Sequence, residues 1–139
     1  MENEELVRNV CDKVYGKLQS GEPVANDLLM VYEIDYLLME VNSGASFEQY
    51  FRWANVEQIN RIVSFLQITG LSDIADLTQK AIKTAFPNGV PESDIEKSDQ
   101  TDWTEDQESV LAKFFGEFEE NNDQITDVLA EYIRKSSNI

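Results

Sequence analysis

The chain has 139 residues, of which 42% are hydrophobic and 10% aromatic, a size and composition sufficient for the core of one globular domain. It carries 27 Asp and Glu residues against 11 Lys and Arg, no histidine and one cysteine, Cys11, so its formal net charge is −16. This composition excludes an intramolecular disulfide, Cys-His zinc sites and histidine-dependent catalytic triads, and it opposes direct binding to nucleic acids or anionic membranes, which requires Lys and Arg.

The first residues lack the basic and apolar regions of a secretion signal, and no run of about 18 apolar residues occurs anywhere in the chain. The sequence therefore predicts a soluble, cytoplasmic protein with no membrane association. It indicates no cofactor, no catalytic residue and no metal ligand.

Two amphipathic helices are predicted in the first third of the chain. Apolar residues at three- and four-residue spacing predict a helix over about residues 4–19, with Cys11 on its apolar face as a small core residue. A turn with Gly and Pro ends this helix. Asn26 is a candidate N-cap for a second helix over about residues 27–41, and the narrow polar side of that helix predicts a central position in the fold.

The segment 42–53 interrupts the helical pattern and contains four aromatic rings. Gly44 predicts the end of the second helix through a positive φ, and Ser46 with Gln49 predicts a capping box for a short third helix. Aromatic residues at this density usually lie in a core, so we interpret the segment as a buried corner between helices rather than a ligand pocket. The rings belong to Phe47, Tyr50, Phe51 and Trp53.

Two more amphipathic helices follow this corner. Asn55 and Gln58 predict a capping box, and the helix that they begin is expected to end at Gly70. Ser72 is a candidate N-cap for the next helix, which Pro87 ends. The short connection between them predicts a helical hairpin.

An acidic loop and two acidic helices complete the chain. The loop spans residues 87–103, with one helical turn expected near residues 93–97. Thr104 and Gln107 predict a capping box for the next helix, and two asparagines separate that helix from a last one capped by Asp123. The predicted inner face of the first of these two helices consists of Val110, Leu111, Phe114, Phe115 and Phe118.

The predicted fold class is all-α, because no stretch of alternating β-branched residues competes with the helical patterns. We expect a single compact domain over residues 1–139, with six or seven helices in antiparallel pairs, an acidic loop at 87–103 and acidic C-terminal helices at 104–135. Trp103, at the end of the loop, is expected to pack back onto this domain.

A family resemblance rests on the turn and aromatic segment already described. Glu40 and Val41 precede the motif, whose members, mainly structural, are Asn42, Gly44, Phe47, Gln49, Tyr50 and Phe51. With the Phe-Pro-x-Gly-x-Pro loop at 86–91, this pattern resembles the acidic, all-helical bacterial family of DMP-type DNA-mimic proteins over residues 28–134. The chain departs from the family pattern at Gly44-Ala45-Ser46, where members usually have two adjacent glycines. The resemblance implies a non-enzymatic DNA mimic and a homodimer.

The negative charge is concentrated in one part of the chain. Residues 92–123 contain twelve acidic residues against two lysines, a balance of −10 out of −16. In a DNA mimic such carboxylates would stand in for phosphates and occupy the DNA-binding surface of a basic protein. Helix neighbours lie about 5–6 Å apart, whereas duplex DNA carries one charge per roughly 1.7 Å of axis, so several helices must contribute. The candidate surface consists of Asp73, Asp76, Glu92, Asp94, Glu96, Asp99, Asp102, Glu105, Asp106, Glu108, Glu117 and Glu120.

Three other interpretations of this charge are open. The acids can form a solvated surface that keeps the protein soluble, or they can belong to an immunity or antitoxin-type inhibitor of a basic partner that does not imitate DNA. A carboxylate or metal-dependent hydrolase is the third, although no specific constellation of residues indicates one. The acids from Asp94 to Glu105 match part of a calcium-binding loop, but Asp99 stands where that loop requires glycine.

Overall fold

The computed structural model describes residues 1–136, and every regular element in that range is an α-helix. The predicted all-α class is therefore confirmed. Six or seven helices were predicted, which is wrong for the described residues, because they form eight and include a complete short helix in the acidic loop. The helices are α1 (Asn3–Ser20), α2 (Asn26–Gly44), α3 (Glu48–Trp53), α4 (Val56–Ile68), α5 (Ser72–Ala85), α6 (Asp94–Asp99), α7 (Glu105–Glu119) and α8 (Asn122–Lys135).

Helix α2 is the centre of the packing, as its narrow polar side predicts. It contacts α1, α3, α4, α7 and α8, while α1 also packs against α8, and α5 packs against both α4 and α7. Seven residues of α2 are buried, and one of these is the acid Glu33. None of the helices in the described part of the chain is long and apolar enough to cross a membrane.

The predicted aromatic corner lies in the core. Phe47, Tyr50 and Phe51 are almost completely buried, and the Phe47 ring meets the edge of Phe118 from α7 with centroids 5.5 Å apart. Phe51 contacts Phe86 at 5.6 Å in a similar edge arrangement. The corner therefore joins α3 to α7 and to the end of α5. Trp53, the fourth ring of the segment, lies outside this core and is 66% exposed.

The end of α2 differs from the sequence prediction. Gly44 lies within the helix, and Ala45 instead adopts the left-handed conformation, with φ of 51°. Helix α3 approaches Gly44 closely, since a Cβ added to Gly44 would lie 2.8 Å from the Cβ of Gln49. Glycine is thus required here for space rather than for a positive φ.

The predicted Ser46–Gln49 capping box does not form. The Ser46 hydroxyl accepts a hydrogen bond from the Glu48 amide, while the Gln49 side chain donates to Glu40 across the corner at 2.8 Å. The Gln49 side chain therefore bonds to α2 and does not cap its own helix. This contact ties the short α3 to the helix that precedes it.

The other predicted caps divide into two groups. Both reciprocal capping boxes, Asn55 with Gln58 and Thr104 with Gln107, are confirmed. The N-caps predicted at Asn26, Ser72 and Asp123 are wrong, because each of these residues lies inside its helix and the caps are Ala25, Leu71 and Asn121. At α5, the burial of Leu71 and the bond from its amide to the Leu66 carbonyl set the start of the helix.

The inner face of α7 is narrower than predicted. Leu111 and Phe118 are fully buried, whereas Phe114 and Phe115 are half-buried and Val110 is 38% exposed. The difference arises because α7 packs mainly against α5 and has its other side in solvent. A period of three and four residues locates an apolar face but does not fix how much of that face a neighbour covers.

The buried Glu33 of α2 and the partly exposed Arg61 of α4 form an ion pair. Nε of Arg61 donates to one carboxylate oxygen at 2.8 Å and Nη2 donates to the other, so the pair is bidentate. The guanidinium also lies over the Phe65 ring, 5.7 Å from its centroid. Two fork-like hydrogen bonds fix the relative position of the two helices more closely than apolar packing alone.

Replacing Gly44 with alanine tests the close approach of α2 and α3. We expect Gly44→Ala to lower the free energy of unfolding by about 1–3 kcal/mol, because the added methyl group overlaps the fixed Cβ of Gln49. The matched control is Gly16→Ala in α1, where nothing lies within 4 Å of the new Cβ, and it should raise stability by about 0.5–1 kcal/mol. Urea denaturation measures both, and equal stabilisation by the two substitutions would contradict the packing argument.

Candidate partner-binding surface

The acidic residues of the candidate surface are all solvent-exposed. Each of the twelve acids from Asp73 to Glu120 that were predicted to form it lies at an exposed position. Within residues 1–136 the ion pairs are Glu33 with Arg61 and Glu131 with Lys135, so none of the twelve is paired with a base. Their charges are available to a partner.

Helices α5 and α7 bring two groups of these acids onto neighbouring helices. The Gln107 side chain donates to the Thr84 carbonyl at 2.9 Å, so α7 begins beside the end of α5. Asp73, near the start of α5, lines a small pocket together with Gln124 of α8, which follows directly after α7. The two helices therefore run in opposite directions.

This direction decides which acids are neighbours. Asp73 and Asp76 lie toward the end of α7, on the side of Glu117 and Glu120. Glu105, Asp106 and Glu108 lie at the other end of α7. The two ends are about 22 Å apart, the length of a helix of 15 residues.

Helix α6 and its acids lie elsewhere, against the aromatic corner. One carboxylate oxygen of Asp94 accepts a hydrogen bond from the Val56 amide at 2.8 Å, which stabilises the start of α4. Glu96 accepts from the Glu92 amide at 3.4 Å, within the loop itself. Asp94 therefore has a structural role besides its charge. Among the described residues no three acidic or cysteine side chains are grouped so that they could hold a metal ion.

Lys97 anchors the acidic loop to the core. Its side chain is buried, and the ammonium group donates to the carbonyl oxygens of Phe51 and Arg52 at 2.7 and 2.8 Å. Burial lowers the pKa of this lysine, while the nearby Asp94 carboxylate acts in the opposite direction. This contact could not be predicted from the sequence, because Phe51 and Arg52 precede Lys97 by more than 40 residues and no local pattern links them.

Trp103 fastens the other end of the loop, as predicted. It is 7% exposed, its indole N–H donates to the Ala85 carbonyl at 3.0 Å, and its ring meets the edge of Phe86. The Arg52 guanidinium lies over the indole, 5.2 Å from its centroid. The acidic loop is thus held at both ends against the aromatic corner.

A further acidic patch was not predicted. Glu2 and Glu4 at the start of α1 lie beside Asp123 and Asp127 of α8 around a shallow depression. Asn3 donates to Asp127 at 2.7 Å and links the two helices. More than 100 residues separate the two halves of this patch, so only the packing of α1 on α8 brings them together.

The residues of the family motif have structural roles. Phe47, Tyr50 and Phe51 form the core of the corner, and Gly44 and Gln49 make the close contact between α2 and α3. The remaining member, Asn42, contacts the last helix, α8. The Asn42 and Asn122 side-chain amides bond reciprocally, at 3.3 and 3.1 Å.

A groove between α1 and α2 has a volume of about 640 Å³. Three tyrosines and a methionine dominate its lining: Tyr15, Tyr32, Tyr36 and Met39. Charged groups also line it, namely Glu4, Arg8, Asp12 and Asp35. We refer to this feature as the α1–α2 groove. No sequence signal predicted this groove, and Tyr15 in its lining is 54% exposed.

Asp35 is the partly buried acid of this groove. It lies between Tyr32 and Tyr36 in sequence, and in residues 1–136 no base forms an ion pair with it. Burial raises the pKa of Asp35, although the neighbouring Cys11 thiol and the Arg8 charge lower it. Burial, reinforced by the Asp35 carboxylate, also raises the pKa of Cys11 far above its usual value. The thiol therefore stays protonated and is a weak nucleophile.

Replacing Lys97 tests how the acidic loop is held. Lys97→Met keeps the apolar stem but removes both hydrogen bonds to the corner, and we expect it to lower the free energy of unfolding by about 1–3 kcal/mol. Amide exchange in α6 should accelerate more than exchange in α8. Lys113→Met, at an exposed position of α7, is the matched loss of one charge and should change neither quantity appreciably. Unchanged exchange in α6 of Lys97→Met would contradict an anchoring role.

The raised pKa of Asp35 predicts a specific pH dependence of stability. A carboxyl group with a raised pKa in the folded state stabilises that state below its unfolded pKa, and this contribution is lost as the pH rises through the folded pKa. Asp35→Asn should therefore gain stability relative to the wild type as the pH increases through that range. Urea denaturation from about pH 3.5, just below the ordinary Asp pKa, to neutrality measures the difference. Asp12→Asn is the control for the loss of one charge, and the prediction fails if Asp35→Asn shows no such trend.

Comparison with known proteins identifies the family of this chain. The family described as DMP19-like protein matches residues 23–136, a range that begins just before α2 and includes the acidic loop and both acidic helices. No curated protein and no solved structure matches the chain. Helix α1 lies outside the matched range. Since the match covers well over half of the chain and includes the motif of the aromatic corner, the chain belongs to the DMP19-like protein family.

Proposed function

We propose that this protein is a non-enzymatic DNA mimic that occupies the DNA-binding surface of a basic protein partner. The observation that carries the proposal is the set of twelve exposed carboxylates from α5 to the end of α7, none of which is paired with a base within the described residues. Membership of the DMP19-like family is consistent with this role.

The physical basis is the way that proteins recognise DNA. A DNA-binding protein places Lys and Arg against phosphates, and much of its affinity comes from the counterions released on binding. Exposed carboxylates on the neighbouring, oppositely directed helices α5 and α7 offer the same partner an anionic surface about 22 Å long. The acids of α6 add negative charge at a separate place, beside the aromatic corner.

A mimic also needs its charges held in place. Lys97 and Trp103 fix the acidic loop to the core, and the Thr104–Gln107 capping box fixes the start of α7. Fixed charges lose less conformational entropy on binding than charges on a flexible tail, so the partner gains more from the same number of contacts. This rigidity favours mimicry over a merely solubilising surface.

The test begins with capture of partners from a bacterial lysate at low salt and at about 0.5 M salt, where charges more than a few Å apart are screened. Duplex DNA is then added to each captured protein. We expect a basic, DNA-binding protein that is released by salt and by duplex DNA. A partner that withstands DNA competition would instead support an immunity or antitoxin-type inhibitor, and capture of no protein would contradict both functions.

Charge-neutral variants assign the binding to the candidate surface. Neutralising four acids along α7 should weaken partner binding by about tenfold or more and make it less dependent on salt. The substitutions are Glu105→Gln, Glu108→Gln, Glu117→Gln and Glu120→Gln. The matched control removes the same charge from other exposed positions, through Glu5→Gln, Glu22→Gln, Glu57→Gln and Glu131→Gln. Equal losses in the two variants would show that net charge alone, and not this surface, determines binding.

The homodimer and the cytoplasmic location stay predictions. A homodimer would double the acidic surface presented to the partner. Sedimentation equilibrium of the purified chain over a range of concentrations measures the oligomeric state directly.

A further inference from the structure

The α1–α2 groove has the dimensions and openness of a docking site for a segment of another protein. Its volume of about 640 Å³ equals that of a small-molecule pocket, but its rim is in solvent, since Met39 is 63% and Tyr15 is 54% exposed. Small-molecule sites usually enclose most of the ligand surface. A small ligand in this groove would remain uncovered on one side, whereas a segment of a larger partner would cover the rim with its own surface.

The length of the groove fits a helix. The residues of α1 that line it extend from Glu4 to Tyr15, which corresponds to about 16 Å along the helix axis. That distance is three turns of a partner helix, which is enough for apolar side chains at positions i, i+3 or i+4, and i+7, since these span about 10.5 Å. Tyrosine and methionine suit such a surface, because they offer large contact areas with few polar groups.

The charges of the groove select a basic residue on that helix. Asp35 is half-buried, lines the groove together with Tyr32 and Tyr36, and has no ion pair in the described part of the chain, while Glu4 and Asp12 add two exposed negative charges. Arg8 is the single base of the lining. A Lys or Arg side chain placed here would gain a charge-assisted hydrogen bond to Asp35, and cation–π contact with the tyrosine rings would add to it.

We propose that the α1–α2 groove binds an amphipathic helical segment of a basic protein partner, with one Lys or Arg of that segment directed at Asp35. This inference rests on the proposed function only in taking a basic protein as the partner. The exposed acids would speed the encounter, and the groove would supply the desolvated apolar contact that most interfaces need for affinity. The α1 side of the groove lies outside the family match, whereas the α2 side, with Asp35, lies within it.

The test uses a synthetic helical peptide, so its result does not depend on DNA competition. The peptide has about 16 residues, roughly 24 Å of helix, with leucines along one face and a single arginine in the middle of that face. Fluorescence anisotropy at neutral pH should show saturable binding to the full-length protein. Exchange of the arginine for citrulline, which keeps the shape but removes the charge, should weaken binding by about tenfold or more.

Variants of the protein locate the peptide. Asp35→Asn should weaken peptide binding as much as citrulline does. In this variant, exchange of the arginine for citrulline should cause no further loss of affinity, because both changes remove the same contact. Tyr15→Ser and Met39→Ser should weaken binding through loss of apolar area. The matched controls are Leu18→Ser on α1 and Ile68→Ser on α4, two exposed apolar residues that do not line the groove, and these should bind as the wild type does. Circular dichroism establishes that each variant is folded.

Three outcomes overturn the proposal. Absence of saturable binding, or equal losses in the groove variants and the control variants, would reduce the effect to attraction by net charge. Equal affinity for butylguanidinium would assign the groove to a small organic cation. A change in the oligomeric state of the free protein on Tyr15→Ser or Met39→Ser would assign it to contact between copies of this chain. If duplex DNA fails to release the captured partner while the peptide still binds, DNA mimicry is rejected and the peptide-binding role of the groove is retained.

Discussion

A continuous set of aromatic contacts holds this fold together. Phe47 meets Phe118 of α7, Phe51 meets Phe86 after α5, and Phe86 meets Trp103 at the start of α7. Four segments that are distant in sequence therefore share one packed core, and a short helix of six residues, α3, can keep its place only because its rings are buried there. The position of the acidic loop and of α7 depends on these contacts.

The stability of this core offsets the electrostatic repulsion between the acidic residues on the surface. Many exposed carboxylates repel one another, and a net charge of −16 on a chain of this size opposes the compact state. Apolar burial, reciprocal caps and the ion pair of Glu33 with Arg61 offset that repulsion without neutralising the surface acids. Lys97 is an example, because this lysine, the one in the acidic loop, donates to backbone carbonyls of the core and does not pair with the acids around it.

Two kinds of surface follow from this architecture. The exposed acids of α5, α6 and α7 act over distance and are screened by salt, whereas the α1–α2 groove can act only in contact, through tyrosine rings and a half-buried carboxylate. Long-range attraction raises association rates, and buried contact slows dissociation. A basic partner that used both surfaces would combine fast encounter with selectivity among DNA-binding proteins.

The sequence by itself determined the all-α class, the approximate helices, the central position of α2, the burial of Phe47, Tyr50 and Phe51, and the capping boxes at Asn55 and Thr104. Each of these depends on residues within about one or two helical turns of one another, where spacing is a direct record of geometry. Only the tertiary structure decided the contacts of Gly44, the cap at Leu71, the docking of Lys97 on the corner and the exposure of Trp53 and Tyr15. It also decided the groove, since Cys11 and Asp35 come together only when α1 packs on α2. The physical reason is that a helical period shows which side of a helix is apolar, whereas the neighbour that covers that side is chosen by packing between segments far apart in the chain.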